Sequence, residues 1–377
     1  MKKMISWILA ILLALSLSAC TDILPKPNGN SSSGTNSNTE NNGNNQEKKK
    51  ISGTIEVGTV FSDGLALVRL VGDENTTYCI DKEGYIVFEA DIGSGSFGTG
   101  FRNGYAIISG KIYDRTGEST APEDVGATEF YLTIAEHGYI LATKITSDFT
   151  GTKKELGILN EDFNWIVSPS EELYQGLFTD HGSPYVSTYS NHYLYLPGSD
   201  SYLNILTGKI SETEPEDFVS DPELRYIYGG TYRDEDANIV IDLREYDTIA
   251  FGGSFVDEKA VIVFKNQVSK YDYKYYYTII DKDGVFAFDP VEIDLINVEA
   301  DMSFDGEYVV FESQTVTAHN TCYYACYNSN GEFEGKAEIS RRKSISLCEG
   351  IIKAYEKDLY GPDSTYYYNP DFTPLFE

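Results

Sequence analysis

From position 51 onward, short apolar runs alternate with polar turns along almost the whole chain. The pattern is clearest over positions 61–88, FSDGLALVRLVGDENTTYCIDKEGYIVF. Phe61-Ser-Asp-Gly64 reads as a turn and Leu65-Ala-Leu-Val68 as a short apolar strand. Asp73-Glu-Asn75 turns the chain again. Tyr78-Cys-Ile80 is a second strand, Asp81-Lys-Glu-Gly84 a tight turn and Tyr85-Ile-Val-Phe88 a third strand. No long run places apolar residues at i, i+3, i+4 and i+7, so helices are not expected. Tyr, Val, Ile, Phe and Thr dominate the apolar runs, as strands prefer.

Two landmarks recur. One is a turn leading into an apolar strand: SDGLALV at 62–68, RNGYAII at 102–108, EHGYILA at 136–142, SNHYLYL at 190–196, VDEKAVIVF at 256–264, FDGEYVVF at 304–311 and CEGIIKAY at 348–355. The other is a strand running into a four-residue turn. Those turns end at Gly84, Gly117, Phe163, Gly208, Glu245, Gly284, Gly331 and Phe372, about 41 residues apart on average. The fifth copy is the most blurred, around 226–238. A period of this size belongs to four-stranded propeller blades. One such unit cannot cover its own apolar face, and stacking copies buries it. The pattern predicts an all-β repeat architecture over 51–377: a seven- or eight-bladed β-propeller, or alternatively an open β-repeat array. Closure favours the propeller because it removes exposed sheet edges. Positions 51–57 precede the first full unit and are expected to complete the sheet of the last one.

The pairing of FxxGxAxV with a following YIDxxGxxVF resembles the WG-repeat (KWG-repeat) proteins of bacteria. The resemblance is good over 61–88, fair over 255–288 and degenerate elsewhere. The Trp-Gly pair that names the family is missing; Thr77-Tyr78 and Tyr276-Tyr277 stand in its place. The resemblance implies repeat β architecture and binding, and no specific chemistry.

The N-terminus changes the picture. Met1-Lys2-Lys3 is followed by an uncharged, largely apolar run to Leu17, then Leu17-Ser-Ala-Cys20. This is the layout of a secretory signal peptide, and too short for a membrane span of about 20 residues. The last four residues resemble the lipobox of bacterial lipoproteins, which implies cleavage after Ala19 and lipidation of Cys20. Residues 1–19 are thus expected to be a signal peptide and 20–50 a lipidated Cys with a disordered tether. That tether is Asn, Ser and Gly with few apolar residues, too little to offset chain entropy. The expected location is the extracytoplasmic face of a bacterial membrane, held by the lipid anchor.

The chain carries 29 basic and 59 acidic residues, a net charge of −30. That excludes nucleic acid as a partner, since phosphate recognition rewards basic patches. Asp281-Lys-Asp283-Gly284 lacks the further acids of a calcium loop. Beyond Cys20 there are Cys79, Cys322, Cys326 and Cys348, with no CxxC pair for zinc. Cys322 and Cys326 lie too far apart along a strand for a mutual bond. A Cys326–Cys348 disulfide and free buried thiols both stay open. No cofactor motif is present, and Gly93-Ser-Gly-Ser-Phe-Gly-Thr-Gly100 has no following helix to cradle a phosphate, so it reads as a loop between blades.

The four histidines, His137, His181, His192 and His319, fall in separate regions, and no nucleophile motif accompanies them. Glu214-Pro-Glu-Asp217 and Asp234-Glu-Asp236 read as solvated loops. The chain is therefore expected not to be an enzyme but a binding module for a cell-surface protein or glycan. The alternative is an extracellular glycan hydrolase using paired carboxylates. Tyrosine, at 30 residues, is abundant. Tyr271-Asp-Tyr-Lys-Tyr-Tyr-Tyr277 puts Tyr271, Tyr273, Tyr275 and Tyr277 on one strand face, the expected binding surface; Tyr366-Tyr-Tyr368 and Tyr323-Tyr324 are smaller clusters. Tyr offers contact area at low entropy cost, and equally packs between blades.

Overall fold

The computed structural model describes residues 49–377 except 94, 133–138, 150, 179–188, 191–192, 216–224, 228–229, 235–236, 247, 271, 314–320, 341–342, 357–361 and 377. The lipobox cysteine Cys20, the tether up to residue 48 and all four histidines lie outside the described residues; Lys49 and Lys50, expected in the disordered tether, instead join the first blade, Lys50 bridging to Tyr85 and the Lys49 carbonyl accepting from the Ile86 N–H.

Among the described residues eight antiparallel sheets follow one another along the chain, over 55–91, 105–120, 129–170, 189–211, 225–242, 249–292, 298–340 and 343–368. Within each, the strands pair in chain order as a meander. In the first, Ile55–Gly58, Leu65–Leu70, Thr76–Asp81 and Ile86–Asp91 lie side by side in that order. Among the described residues helix is confined to Glu171–Leu177, capped by Ser170 accepting from the Leu173 N–H, and a 3-10 turn at Pro122–Val125. The protein is an all-β, eight-bladed propeller, and each sheet is a blade.

Local chemistry explains the recurring turn. Gly84, Gly117, Phe163, Gly208, Gly284, Gly331 and Phe372 all sit in the left-handed region, with φ between 59° and 91°. An Asp or Asn three residues earlier folds its side chain over the turn in most copies. Asp81 Oδ1 accepts from the Tyr85 N–H at 2.8 Å, and Asn328 Oδ1 from Asn330 and Glu332 at 2.9 and 3.1 Å. The side chain replaces hydrogen bonds the backbone gives up in turning. Glu245 breaks the series and has no positive φ. There Asp242 is tied to Arg244 instead, and the chain passes directly to Ile249–Gly252. Blade five therefore ends at its third strand, Ile239–Asp242.

The other turn class joins the first and second strands in blades one, six and eight and leads into the first strand of blade two. Asp63-Gly64, Asn103-Gly104, Asp257-Glu258 and Glu349-Gly350 have positive φ at both central residues, the turn that matches strand twist. These turns grip one another around the ring. Asp63 Oδ2 accepts from the Gly104 N–H at 2.8 Å, Asp305 Oδ2 from Gly350 at 2.7 Å, and Glu349 Oε2 from Gly64 at 2.9 Å. Each carboxylate thus holds the glycine of the following blade, and blade eight holds blade one.

The core lies between sheets. Shared apolar clusters join blades one and two, two and three, three and four, five and six, six and seven, seven and eight, and eight and one. Between blades four and five no such cluster occurs among the described residues. The closing seam differs from expectation. Residues 51–57 do not complete the last sheet: Ile55 and Val57 pair with Leu70 and Arg69 of their own blade, and Ile51 donates to the Gly84 carbonyl. Side chains close the ring instead. Tyr367 sits edge-on to Phe61 at 5.3 Å and to Phe376 at 5.8 Å, and its hydroxyl donates to the Thr59 carbonyl at 2.6 Å. A Cβ on Gly58 would lie 2.1 Å from that hydroxyl, so a side chain at 58 would push Tyr367 out.

A second lock repeats at the turns. A Cβ on Gly117 would meet Phe88 at 2.6 Å, on Gly331 Phe288 at 3.0 Å, and on Gly84 Phe376 at 2.5 Å. Each phenylalanine stands four residues after its own blade's turn and covers the turn glycine of the next blade. Phe376 repeats this across the seam.

Cys79, Cys326 and Cys348 carry free thiols, so no Cys326–Cys348 bond forms. Gly93–Gly100 joins blades one and two as expected, and also runs beside Tyr105–Ile108: Thr99 N–H donates to Ile107 O at 2.9 Å.

Candidate functional site

The last blade has three strands, Lys343–Cys348, Ile351–Glu356 and Ser364–Tyr368. Strand alternation sends Thr365 and Tyr367 toward blade one, both buried, and Tyr366 the other way, 37% exposed. After Tyr368 the chain turns through Asn369-Pro-Asp-Phe372. Asp371 accepts from the hydroxyl and N–H of Thr373, which hold its carboxyl below the usual range. The returning segment bridges at Tyr368 and Pro374, and Leu375 donates its N–H to the Tyr367 carbonyl at 2.9 Å.

This edge forms one wall of a cleft of about 380 Å³, within the range of small-ligand sites. Thr365, Tyr366, Tyr367 and Tyr368 line it consecutively, Pro374 and Phe376 close one end, and Ile51, Gly53, Thr54 and Ile55 form the wall opposite. No lining residue carries a formal charge. Burial raises the Tyr367 and Tyr368 hydroxyl pKa values, so both stay neutral donors and acceptors near pH 7. The Tyr367 hydroxyl is committed to Thr59, whereas Thr365 Oγ1 is buried with no hydrogen-bond partner. A buried hydroxyl without a partner is costly, and a ligand group that supplies one recovers that cost.

Two other cavities differ in chemistry. One of about 300 Å³ between blades seven and eight is lined by Met302, Ser303, Val310, Glu312, Tyr324, Ser344 and Ile345. Glu312 is its single carboxylate; burial first, then Glu312, raises the Tyr324 hydroxyl. The other, about 410 Å³, is a polar groove at Glu56, Arg69, Glu74, Asn75, Gly93 and Gly95, where Arg69 Nε pairs with Glu56 at 3.1 Å.

The tyrosine surface expected at 271–277 is a packing face. Tyr277 is fully buried and Tyr275 is 5% exposed. The Tyr277 ring meets Phe288, Phe311 and Tyr327, and its hydroxyl donates to the Asn328 carbonyl of blade seven at 3.4 Å. Tyr273 is half-buried under the Lys265 ammonium at 4.0 Å, and Tyr271 lies outside the described residues. Alternation places Tyr273, Tyr275 and Tyr277 on one face as expected, but that face meets the next blade. The cleft uses the Tyr366–Tyr368 cluster instead, and its far wall, 290 residues and more away in sequence, leaves no local signal. Asp281 spends its Oδ1 on the N–H groups of Asp283 and Val285. Among the described residues no group of three His, Cys, Asp or Glu is placed to hold a metal ion.

No protein-family model matches the chain, and no curated protein matches it. Solved structures similar to it include a eukaryotic initiation factor, with TM-score 0.32 and 12% identity over 78% of this chain and 90% of that one. The acylaminoacyl peptidase of Pyrococcus horikoshii gives TM-score 0.32 and 12% identity over 86% of this chain; the chain spans 52% of the peptidase's length. The β-propeller domain of the Trilobed protease from Pyrococcus furiosus gives 0.25 and 10%, covering 85% and 84%. At these identities the likeness is one of fold alone.

Proposed function

We propose that the chain is an exported, lipid-tethered propeller that binds a partner on the extracytoplasmic side through the cleft at its closing seam. The cleft carries this reading: about 380 Å³, uncharged, walled by the Thr365–Tyr368 run and holding the unpartnered Thr365 hydroxyl. Such a lining favours non-covalent recognition, in which apolar and aromatic surface supplies affinity and a few polar groups orient the ligand. The lipobox-like Leu17-Ser-Ala-Cys20 and the polar stretch after it support a tethered location, since two lipid chains anchor firmly and a flexible linker displays the domain. The net charge of −30 supports a partner other than nucleic acid or anionic lipid.

The test uses fluorescently labelled protein and isolated bacterial cell envelopes. Retention on envelopes that falls at least tenfold in Tyr366→Ala, with unchanged thermal stability, is the expected result. Equal retention of wild type and variant removes the cleft as the binding site. In parallel, intact mass of the membrane-extracted protein should show a lipid-modified chain beginning at Cys20, and an unmodified mature chain removes the anchor.

A further inference from the structure

We infer that the cleft takes an extended peptide of a partner protein, which adds to the last blade as its fourth strand. The inference rests on the cleft reading above and names its ligand class.

Blades one, three, four, six and seven each have four strands. Among the described residues blade eight has three, and the cleft is lined by that third strand, Ser364–Tyr368, on the side away from Ile351–Glu356. The fourth position is already started in cis. Pro374 bridges to Tyr368, and Leu375 N–H donates to Tyr367 O. That bond fixes the strand's orientation. The Tyr367 carbonyl points outward, away from Ile351–Glu356, and backbone groups two residues apart point the same way. The Thr365 N–H and C=O therefore also face the cleft. Among the described residues neither has a partner on that side. The nearby Thr365 hydroxyl is the unpartnered one. Two backbone groups, a donor and an acceptor, thus lie on one stretch of edge, and the buried hydroxyl of the same residue stands beside them on the face toward blade one.

A strand edge with an adjoining apolar cleft is the geometry of β-strand addition, in which main-chain bonds give affinity and pockets choose side chains. Blade seven shows how a completed edge looks here. Its third strand ends Tyr327-Asn328 before the turn, as blade eight's ends Tyr368-Asn369. In blade seven the partner strand Phe333–Ser340 continues alongside to Thr321, pairing Cys326 with Gly335 and Tyr324 with Ala337. The positions in blade eight that match Cys326 and Tyr324 are Tyr367 and Thr365. The occupant expected is an extended segment, apolar where it meets Ile51, Ile55 and Phe376, with basic flanks that answer the net charge of −30.

The experiment selects peptides from a phage-displayed library of random 12-residue sequences against the full chain. A selected peptide is then synthesised in three forms: unmodified, and N-methylated at either alternate set of residues. The expected result has three parts. The unmodified peptide protects the Thr365 amide from hydrogen exchange; one N-methylated form loses at least tenfold in affinity; the other binds as before. That asymmetry marks main-chain pairing along one edge and leaves the protein unaltered. Thr365→Pro removes the outward N–H where an edge strand tolerates proline, and should also cost at least tenfold. The inference is overturned if no peptide is enriched, if both N-methylated forms bind like the unmodified one, or if protection falls on Ile239–Asp242 or Ser119–Thr120, the last strands of the other two three-stranded blades. Dimerisation of the chain through Ser364–Tyr368 likewise overturns it in favour of a second copy. Should Tyr366→Ala abolish envelope retention while N-methylation has no effect, the cleft reading stands and the strand reading falls; if neither matters, both fall.

Discussion

The closing seam can be isolated with two glycines. Gly72 and Gly84 have nearly the same strained backbone, φ of 82° and 81°. A Cβ on Gly72 would meet nothing within 4 Å, whereas one on Gly84 would lie 2.5 Å from the Phe376 ring. Changing either to Ala forces a side chain into the left-handed region, which costs roughly 1–2 kcal/mol. Gly84→Ala adds overpacking against Phe376, typically about 1–3 kcal/mol in a well-packed site. Urea unfolding, with the slope checked for constancy, should therefore show Gly84→Ala less stable than Gly72→Ala by about 1–3 kcal/mol. Phe376→Ala then completes a cycle: with the ring gone, the added methyl has room, so the double variant should be more stable than the sum of the singles predicts by a similar amount. Equal costs for the two glycine changes, or additivity of Gly84→Ala with Phe376→Ala, would refute the argument that Phe376 closes the ring onto blade one.

Tyr367→Phe removes the hydroxyl that donates to Thr59 O and should cost about 1–2 kcal/mol, read as a drop in the urea midpoint; no change would mean that bond does not hold the seam. Burial pushes the Cys79 and Cys326 thiols up to about 12, so at pH 8 fewer than roughly 1 in 1,000 is thiolate. A thiol-reactive dye should spare both in the folded protein, label the half-buried Cys348 first, and reach all four domain thiols only in denaturant. Asp371 has a folded pKa below its unfolded value, through the hydroxyl and N–H of Thr373. Its contribution is therefore present above the unfolded value of about 3.9 and lost as pH falls through the folded one. Asp371→Ala should be destabilising at pH 7, and the gap to wild type should narrow between pH 4 and pH 2; a gap independent of pH would contradict the assignment.

Class and repeat period were legible in the sequence, and the blade count to within one, because they depend on local chemistry. Asp and Asn that fold over a turn, and Gly at the left-handed position, act within five residues, so Gly84, Gly117, Gly208, Gly284 and Gly331 mark blades wherever they occur. Phe163 and Phe372 fill the same position without Gly, and the strand pattern around them was enough. Glu245 marked a unit that has three strands among the described residues and no left-handed residue at its turn, so its signal was blurred. Alternation also placed Tyr273, Tyr275 and Tyr277 on one face.

What that face meets was decided only by tertiary structure. A strand in a propeller has two buried sides, one toward each neighbouring blade, and the period-two pattern of an apolar or tyrosine-rich run is the same whether the face meets another blade or a partner. The ring decided that Tyr277 lies against blade seven while Tyr366, in an equally tyrosine-rich run, borders an open cleft. The manner of closure was equally invisible. The expectation that residues 51–57 would join the last sheet followed from the need to remove edges, but Ile55 pairs with Leu70 inside its own blade, and Phe376 and Tyr367 hold the ends together through contacts that span about 290 residues or more. Such contacts depend on where each blade sits around the ring, and no local run of residues encodes that position.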